Sequence, residues 1–214
     1  MSDVFDPDCR QCPRLAAFLD TVKRSHVDYY CKPVPPFGDP AAKILIVGLA
    51  PGMHGANRSG RAFTGDHAGI ILYATLYKFG LANGPRSTSV DDGLELRGAR
   101  ITNAVKCLPP GNKPLPVEIR TCNPYLRSEL EASHSIRAIL ALGSIAHAAV
   151  LRAHGLRLSA HRFAHGAEHA LIGGRTLIDS YHCSRYNTQT RRLTTEMFES
   201  VVARARTLAT ATAP

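Results

Sequence analysis

The chain has 214 residues, 44% hydrophobic and 20% charged, which are globular values and exclude a mainly disordered chain. Its longest apolar runs, KILIVGLA (43–50) and IRAILALG (136–143), fall well short of the roughly 20 residues that span a bilayer. Lys and Arg number 26 against 17 Asp and Glu, a net charge of +9, and only six of the 26 are Lys; a surplus so rich in Arg points to a polyanionic partner, most simply nucleic acid.

The first residues, MSDVFDPDCRQCPRL, have an acidic start and no apolar h-region, so no secretory signal and a reducing, cytoplasmic setting are expected. A short helix is expected near 13–28, followed by an extended, Pro-punctuated lead-in to residue 42. KILIVGLA (43–50) has the continuous apolar character of a strand covered on both faces. A Gly-rich polar loop (51–66) precedes a helix at 67–80, where Ile70, Leu72, Tyr73, Leu76 and Tyr77 recur at helical spacing and Gly80 is the stop. Residues 83–98 read as a surface loop and 100–107 as a second strand. A helix is expected at 117–133, kinked at Pro124 unless that residue falls in the first turn.

Residues 135–143 form the third predicted strand and 144–155 a helix with Ser144 as N-cap. The His- and Gly-rich stretch 156–174 is expected to make a hairpin or an irregular crossing. A fourth strand (175–182), a polar loop (183–190), an amphipathic helix (191–208) and a frayed tail (209–214) complete the chain. Strand–helix alternation with apolar strands implies a three-layer α/β/α domain over 1–208, built on a four-stranded parallel sheet, with the Cys-bearing N-terminal segment as an arm. Loops 51–66, 103–112 and 183–190 follow strand carboxyl ends, where such sheets bind ligands.

Six cysteines stand at 9, 12, 31, 107, 122 and 183. Cys9 and Cys12 form C-x2-C, and a Pro- and Gly-rich stretch between Cys107 and Cys122 can bring that second pair together. Four thiolates suit structural zinc or an iron–sulfur cluster.

The motifs GLAPGMHGANRSGRAFTGD (48–66), ITNAVKCLPP (101–110), ALGSIAH (141–147) and YHCSRYNT (181–188), in that order, resemble the iron–sulfur uracil-DNA glycosylases, most closely the broad-specificity family 5 branch. The resemblance runs from Cys9 to about Thr194. It implies a four-stranded parallel sheet between helices and a [4Fe–4S] cluster on Cys9, Cys12, Cys107 and Cys122. Cys31 and Cys183 lie outside the pattern and read as ordinary thiols. The implied activity is hydrolysis of the N-glycosidic bond of uracil, and of other deaminated bases such as hypoxanthine, by a monomer acting on nucleoid DNA. No lysine matches a nucleophile position, so lyase activity is not expected.

A glycosylase flips its target nucleotide out of the duplex, stacks and reads the base, then stabilises both fragments as the bond breaks. The resemblance places uracil stacking on Phe63, base-edge reading on Asn103 and stabilisation of the departing base on His182. The commonest superfamily form of the last motif is His-Pro-Ser; here His182-Cys183-Ser184 implies a less rigid loop. The related family 4 enzymes carry an acidic residue where this chain has Leu49. Asp66 is the replacement the resemblance offers, as general base or counter-charge, although it equally occupies a helix N-cap position. His54 and Asn57 are second candidates for positioning water. Backbone around Ala50, Gly52 and Gly55 is expected to line the base pocket. Ser184 and Arg185 belong to the expected duplex-probing loop, and Arg58, Arg61, Arg191 and Arg192 are candidates for phosphate contact.

Overall fold

The computed structural model describes residues 5–210. In chain order the elements are α1 (Pro13–Ser25), β1 (Phe37–Gly38), β2 (Ile44–Gly48), α2 (Ala56–Ser59), α3 (His67–Lys78), β3 (Ala99–Asn103), α4 (Pro116–Ala132), β4 (Ala138–Leu142), α5 (Ser144–Ala153), β5 (Glu168–Leu171), β6 (Arg175–Ser180), α6 (Arg185–Gln189) and α7 (Thr195–Thr210).

One sheet runs β1-β3-β2-β4-β6-β5. Its four central strands are parallel, as expected, but antiparallel edges make it six-stranded and mixed: β1 on β3, and β5 on β6. Alternation along the strands makes the three layers. Ile44, Ile46, Ile101, Leu140 and Ile178 face α3 and α7, while Leu45, Val47, Ile139, Ala141 and Leu177 face α4 and α5. Both faces are therefore apolar, which is why β2 reads as an unbroken ILIVG.

Several boundaries depart from the expectations, each for a local reason. α4 begins at Pro116, so the first-turn proline is that one and Pro124 sits mid-helix; Glu118 closes the start by accepting from Leu115 N at 2.7 Å. The N-cap of α5 is Gly143 at φ 97°, a left-handed turn that leaves Ser144 already helical. The stretch 156–174 agrees with the hairpin alternative: after a short 3-10 turn, β5 pairs antiparallel with β6. The expected polar loop 183–190 contains α6, capped by Ser184, which accepts from Asn187 N at 3.4 Å. The last helix starts at Thr195, so Arg191 and Arg192 lie in the preceding turn. It continues through Ala209 and Thr210, which belonged to the expected tail; 211–214 lie outside the described residues. Among the described residues no helix is long and apolar enough to cross a membrane.

Candidate active site

Beyond the carboxyl ends of β2, β3 and β6 opens a crevice lined by Phe63, Asp66, Asn103 and His182. Strand register builds its floor. Gly48, the last residue of β2, pairs with Asn103, the last of β3. A Cβ at position 48 would stand 2.4 Å from Asn103 Oδ1 and 2.7 Å from Phe63 Cζ, so only glycine lets those two side chains meet. Asn103 is 4% exposed, lines the crevice, and its Oδ1 has no hydrogen-bond partner. Leaving such an atom unsatisfied costs on the order of 1–3 kcal/mol. A ligand N–H would recover it.

Phe63 is held in the left-handed region at φ 55°, a strained setting for an aromatic residue. Two contacts impose it. Tyr73 Oη donates to Ala62 O at 2.7 Å, and Gly69 of α3 lets the Phe63 carbonyl approach where a Cβ would be 1.9 Å away. The ring stacks against His182, centroids 6.2 Å apart and planes at 30°. His182 lies just past β6, and its carbonyl accepts from Asn187 Nδ2 at 2.8 Å. The loop after His182 is held by this bond to α6 and by the buried Cys183. Burial alone lowers the His182 pKa to about 4, so the imidazole is neutral at neutral pH.

Asp66 serves two ends at once. Its Oδ1 accepts from Gly69 N at 2.9 Å as the α3 cap. Its Oδ2 borders Gly52 and Gly55: a Cβ would lie 3.7 Å away at 52 and 2.5 Å away at 55. The carboxyl lines the crevice, and burial raises its pKa against the opposing pull of the Gly69 N–H. Leu49, Ala50 and Gly52 form the adjacent wall, and Ser184 and Arg185 the rim. Arg185 is exposed and also borders a neighbouring groove that contains Arg86.

Other expected residues are placed elsewhere. His54 is exposed and its Nδ1 pairs with Tyr29 Oη at 2.8 Å, away from the crevice. Asn57 is wholly buried, donating to Cys31 Sγ at 3.4 Å. Gly55 packs against Asp66 rather than lining the pocket. Arg58 is exposed, but Arg61 is not available to phosphate: it is buried against Asp92, Ser87 and Thr64 at 2.7, 2.7 and 3.0 Å and lies over the Phe37 ring. Arg192 covers the Tyr181 ring at 4.6 Å. Four lining residues escaped the motif reading: Ala56; Ala68; His67, whose Nε2 meets Thr188 Oγ1 at 3.0 Å and ties α3 to α6; and Asn112, in a turn at φ 56°. Of these only Ala56 lies inside one of the motifs, that of residues 48–66.

On the other side of the Ala50 loop, Cys9, Cys12, Cys107 and Cys122 line one small, mostly apolar cavity with Leu15 and Tyr125. Burial pushes the Cys12 and Cys107 thiols up to about 11 and about 12, and neighbouring thiolates add to both shifts. Four thiolates therefore need a cation among them. The donor set, four thiols around one cavity, suits either a structural zinc or an iron–sulfur cluster. Arg14, just after Cys12, clamps Glu118 of α4 through two 2.7 Å bonds and joins the arm to the helix carrying Cys122. Cys31 and Cys183 lie outside the cavity.

The family model described as uracil DNA glycosylase superfamily matches residues 35–206, and the chain belongs to that superfamily. Similarity over nearly the whole length runs to its type-5 branch. The chain is 52% identical over 206 residues to a type-5 uracil-DNA glycosylase of Thermus thermophilus, covering 94% of each chain. It is 45% identical over 202 residues to the type-5 enzyme of Pyrobaculum aerophilum, covering 92% of this chain and 88% of the other. The type-4 uracil-DNA glycosylase of the same organism matches a shorter stretch, 34% identical over 125 residues, or 58% of this chain and 56% of that one.

Proposed function

We propose that this protein is a monofunctional DNA repair glycosylase that hydrolyses the N-glycosidic bond of uracil in DNA and leaves an abasic site. The observation that carries the reading is the buried Asn103 Oδ1, unpartnered in a crevice walled by Phe63 and His182. A flipped uracil stacks on the Phe63 ring. Its N3–H donates to Asn103 Oδ1, and the Asn103 amide N–H reaches O4. The neutral His182 imidazole donates to O2 as negative charge builds on the departing base. Asp66, anchored through Oδ1, keeps Oδ2 for water or for the sugar cation. Leu49 adds no charge to the wall. That supports a wider substrate range, including hypoxanthine, because stacking and a few backbone contacts tolerate different bases.

Ser184 orients the rim and Arg185 meets the duplex beside the flipped nucleotide. Cys9, Cys12, Cys107 and Cys122 would hold a [4Fe–4S] cluster, whose contribution is structural, tying the N-terminal arm to α4 and the loop after β3. One glycosylase domain with this arm acts as a monomer on nucleoid DNA in the cytoplasm.

The test is base release from duplex oligonucleotides carrying uracil or hypoxanthine opposite their natural partners, with abasic sites revealed by alkali. Release of both bases is the expected result. Tight DNA binding without release of either, by protein containing iron and labile sulfide, would refute the catalytic reading.

A further inference from the structure

A second polar cluster lies at the β6–β5 edge of the sheet, outside the crevice and the cysteine cavity. Asp179 of β6 is wholly buried. Its Oδ1 lies 2.8 Å from His147 Nδ1 on α5, and its Oδ2 lies 3.1 Å from His169 Nε2 on β5. The ligand-capable atoms of the three all fall within 4.8 Å of one another. The two imidazole rings meet edge to face, centroids 5.2 Å apart.

Proton counting shows what this cluster lacks. His147 Nε2 lies 2.9 Å from the carbonyl oxygen of His161. A carbonyl only accepts, so Nε2 carries the hydrogen. In a neutral ring Nδ1 then presents a lone pair, and it faces a carboxylate oxygen, which also only accepts. Two lone pairs 2.8 Å apart need a proton or a metal cation between them.

We propose that His147 Nδ1, His169 Nε2 and the Asp179 carboxylate bind one divalent transition-metal ion of the zinc class. Three features carry the assignment. An N–H donated to a backbone carbonyl behind the ring is the support that ligating histidines have in metalloproteins, and His147 has it. Two imidazoles and one carboxylate form a donor set that zinc accepts, with bonds of about 2.0–2.2 Å. Neighbouring ligand atoms around such an ion stand about 3.4 Å apart, so the present contacts need to open by only a few tenths of an ångström. The cluster also has an entrance: the His169 side chain is 11% exposed, while those of His147 and Asp179 are 4% and 0%. His161 stands beside that entrance, its ring 5.6 Å from that of His169. Its Nδ1 donates to Arg157 O at 3.1 Å, which leaves Nε2 with the lone pair a fourth ligand requires.

The ion would staple α5, β5 and β6 three residues before His182, so its role is to hold the edge from which the rim of the crevice departs. This assignment stands whether or not the crevice releases uracil.

The test is zinc sulfate titration of the holoprotein under argon, after dialysis against metal-free buffer, with zinc and iron counted together by mass spectrometry. The expected result is one zinc per chain with iron unchanged, and a rise in Tm of several degrees on saturation. His169→Ala, at the partly exposed edge, should keep its circular dichroism and bind zinc at least tenfold more weakly; Asp179→Asn should behave alike where it folds. Uptake equal in wild type and His169→Ala, no uptake at all, or zinc gained only as iron is lost would overturn the proposal.

Discussion

Arg61 and Asn103 are almost equally buried, at 5% and 4% exposed. Arg61 spends its guanidinium on Asp92, Ser87, Thr64 and the backbone of Ser89, with Phe37 beneath it. Asn103 leaves its amide oxygen bare over the crevice. Buried polarity satisfied inside the protein holds the loop in shape. Buried polarity left unsatisfied toward a cavity is kept for a ligand. The two residues therefore respond to truncation in opposite ways.

The largest effect is expected at Asn103. Asn103→Ala should slow single-turnover uracil release by about 10²–10³, the cost of losing one preorganised polar contact to the reacting group, and leave Tm unchanged or raised. A drop in Tm of many degrees would break the comparison from this side. Arg61→Ala should do the reverse. It strands Asp92 in a poorly solvated site and should cost about 3 kcal/mol of stability, while uracil release well below the lowered Tm changes by no more than about twofold. Wild-type stability with lost activity would place Arg61 on DNA after all.

The pH response sharpens the same contrast. The folded pKa of His182, about 4, lies below its ordinary value of 6.5. The unfolded chain takes the proton more readily, so stability falls as pH drops from about 6.5 toward about 4 and is insensitive to this group above that window. Uracil release should accordingly show no inflection near 6.5, and a clear histidine step there in kcat would contradict a neutral donor. The smallest effect is expected at the rim. Arg185→Ala should weaken DNA binding a few-fold and reduce the slope of log K against log salt by about 0.9, one phosphate contact; an unchanged slope would remove Arg185 from the backbone path.

The central strands were legible because apolar runs covered on both faces leave little choice, and α3 because Asp66 caps it. The edges were not. β1 is two residues long, and β5, with its exposed Glu168 and Ala170, was announced only as one arm of a hairpin that an irregular crossing could replace. The crevice lining was legible where motif and strand end coincide, at Asn103 and His182, and at Phe63 through its motif alone. It was misread where a side chain's partner lies far along the chain. Arg61 in a Gly-rich loop reads as a phosphate contact until the fold delivers Asp92, and His54 as a crevice residue until Tyr29 draws it outward. The His-rich stretch 156–174, which carries His161 and His169, was the visible sign of the His147 cluster, and Asp179 inside its apolar strand was not read as part of it.

The most direct test of the account is single-turnover uracil release by the holoprotein and by His182→Ala at saturating duplex. Release by the wild type, slowed about 10²–10³ in the variant with DNA affinity unchanged, is the predicted result. Equal rates in the two proteins would contradict the assignment of His182 to the leaving base and, with it, the crevice as the place where the bond is broken.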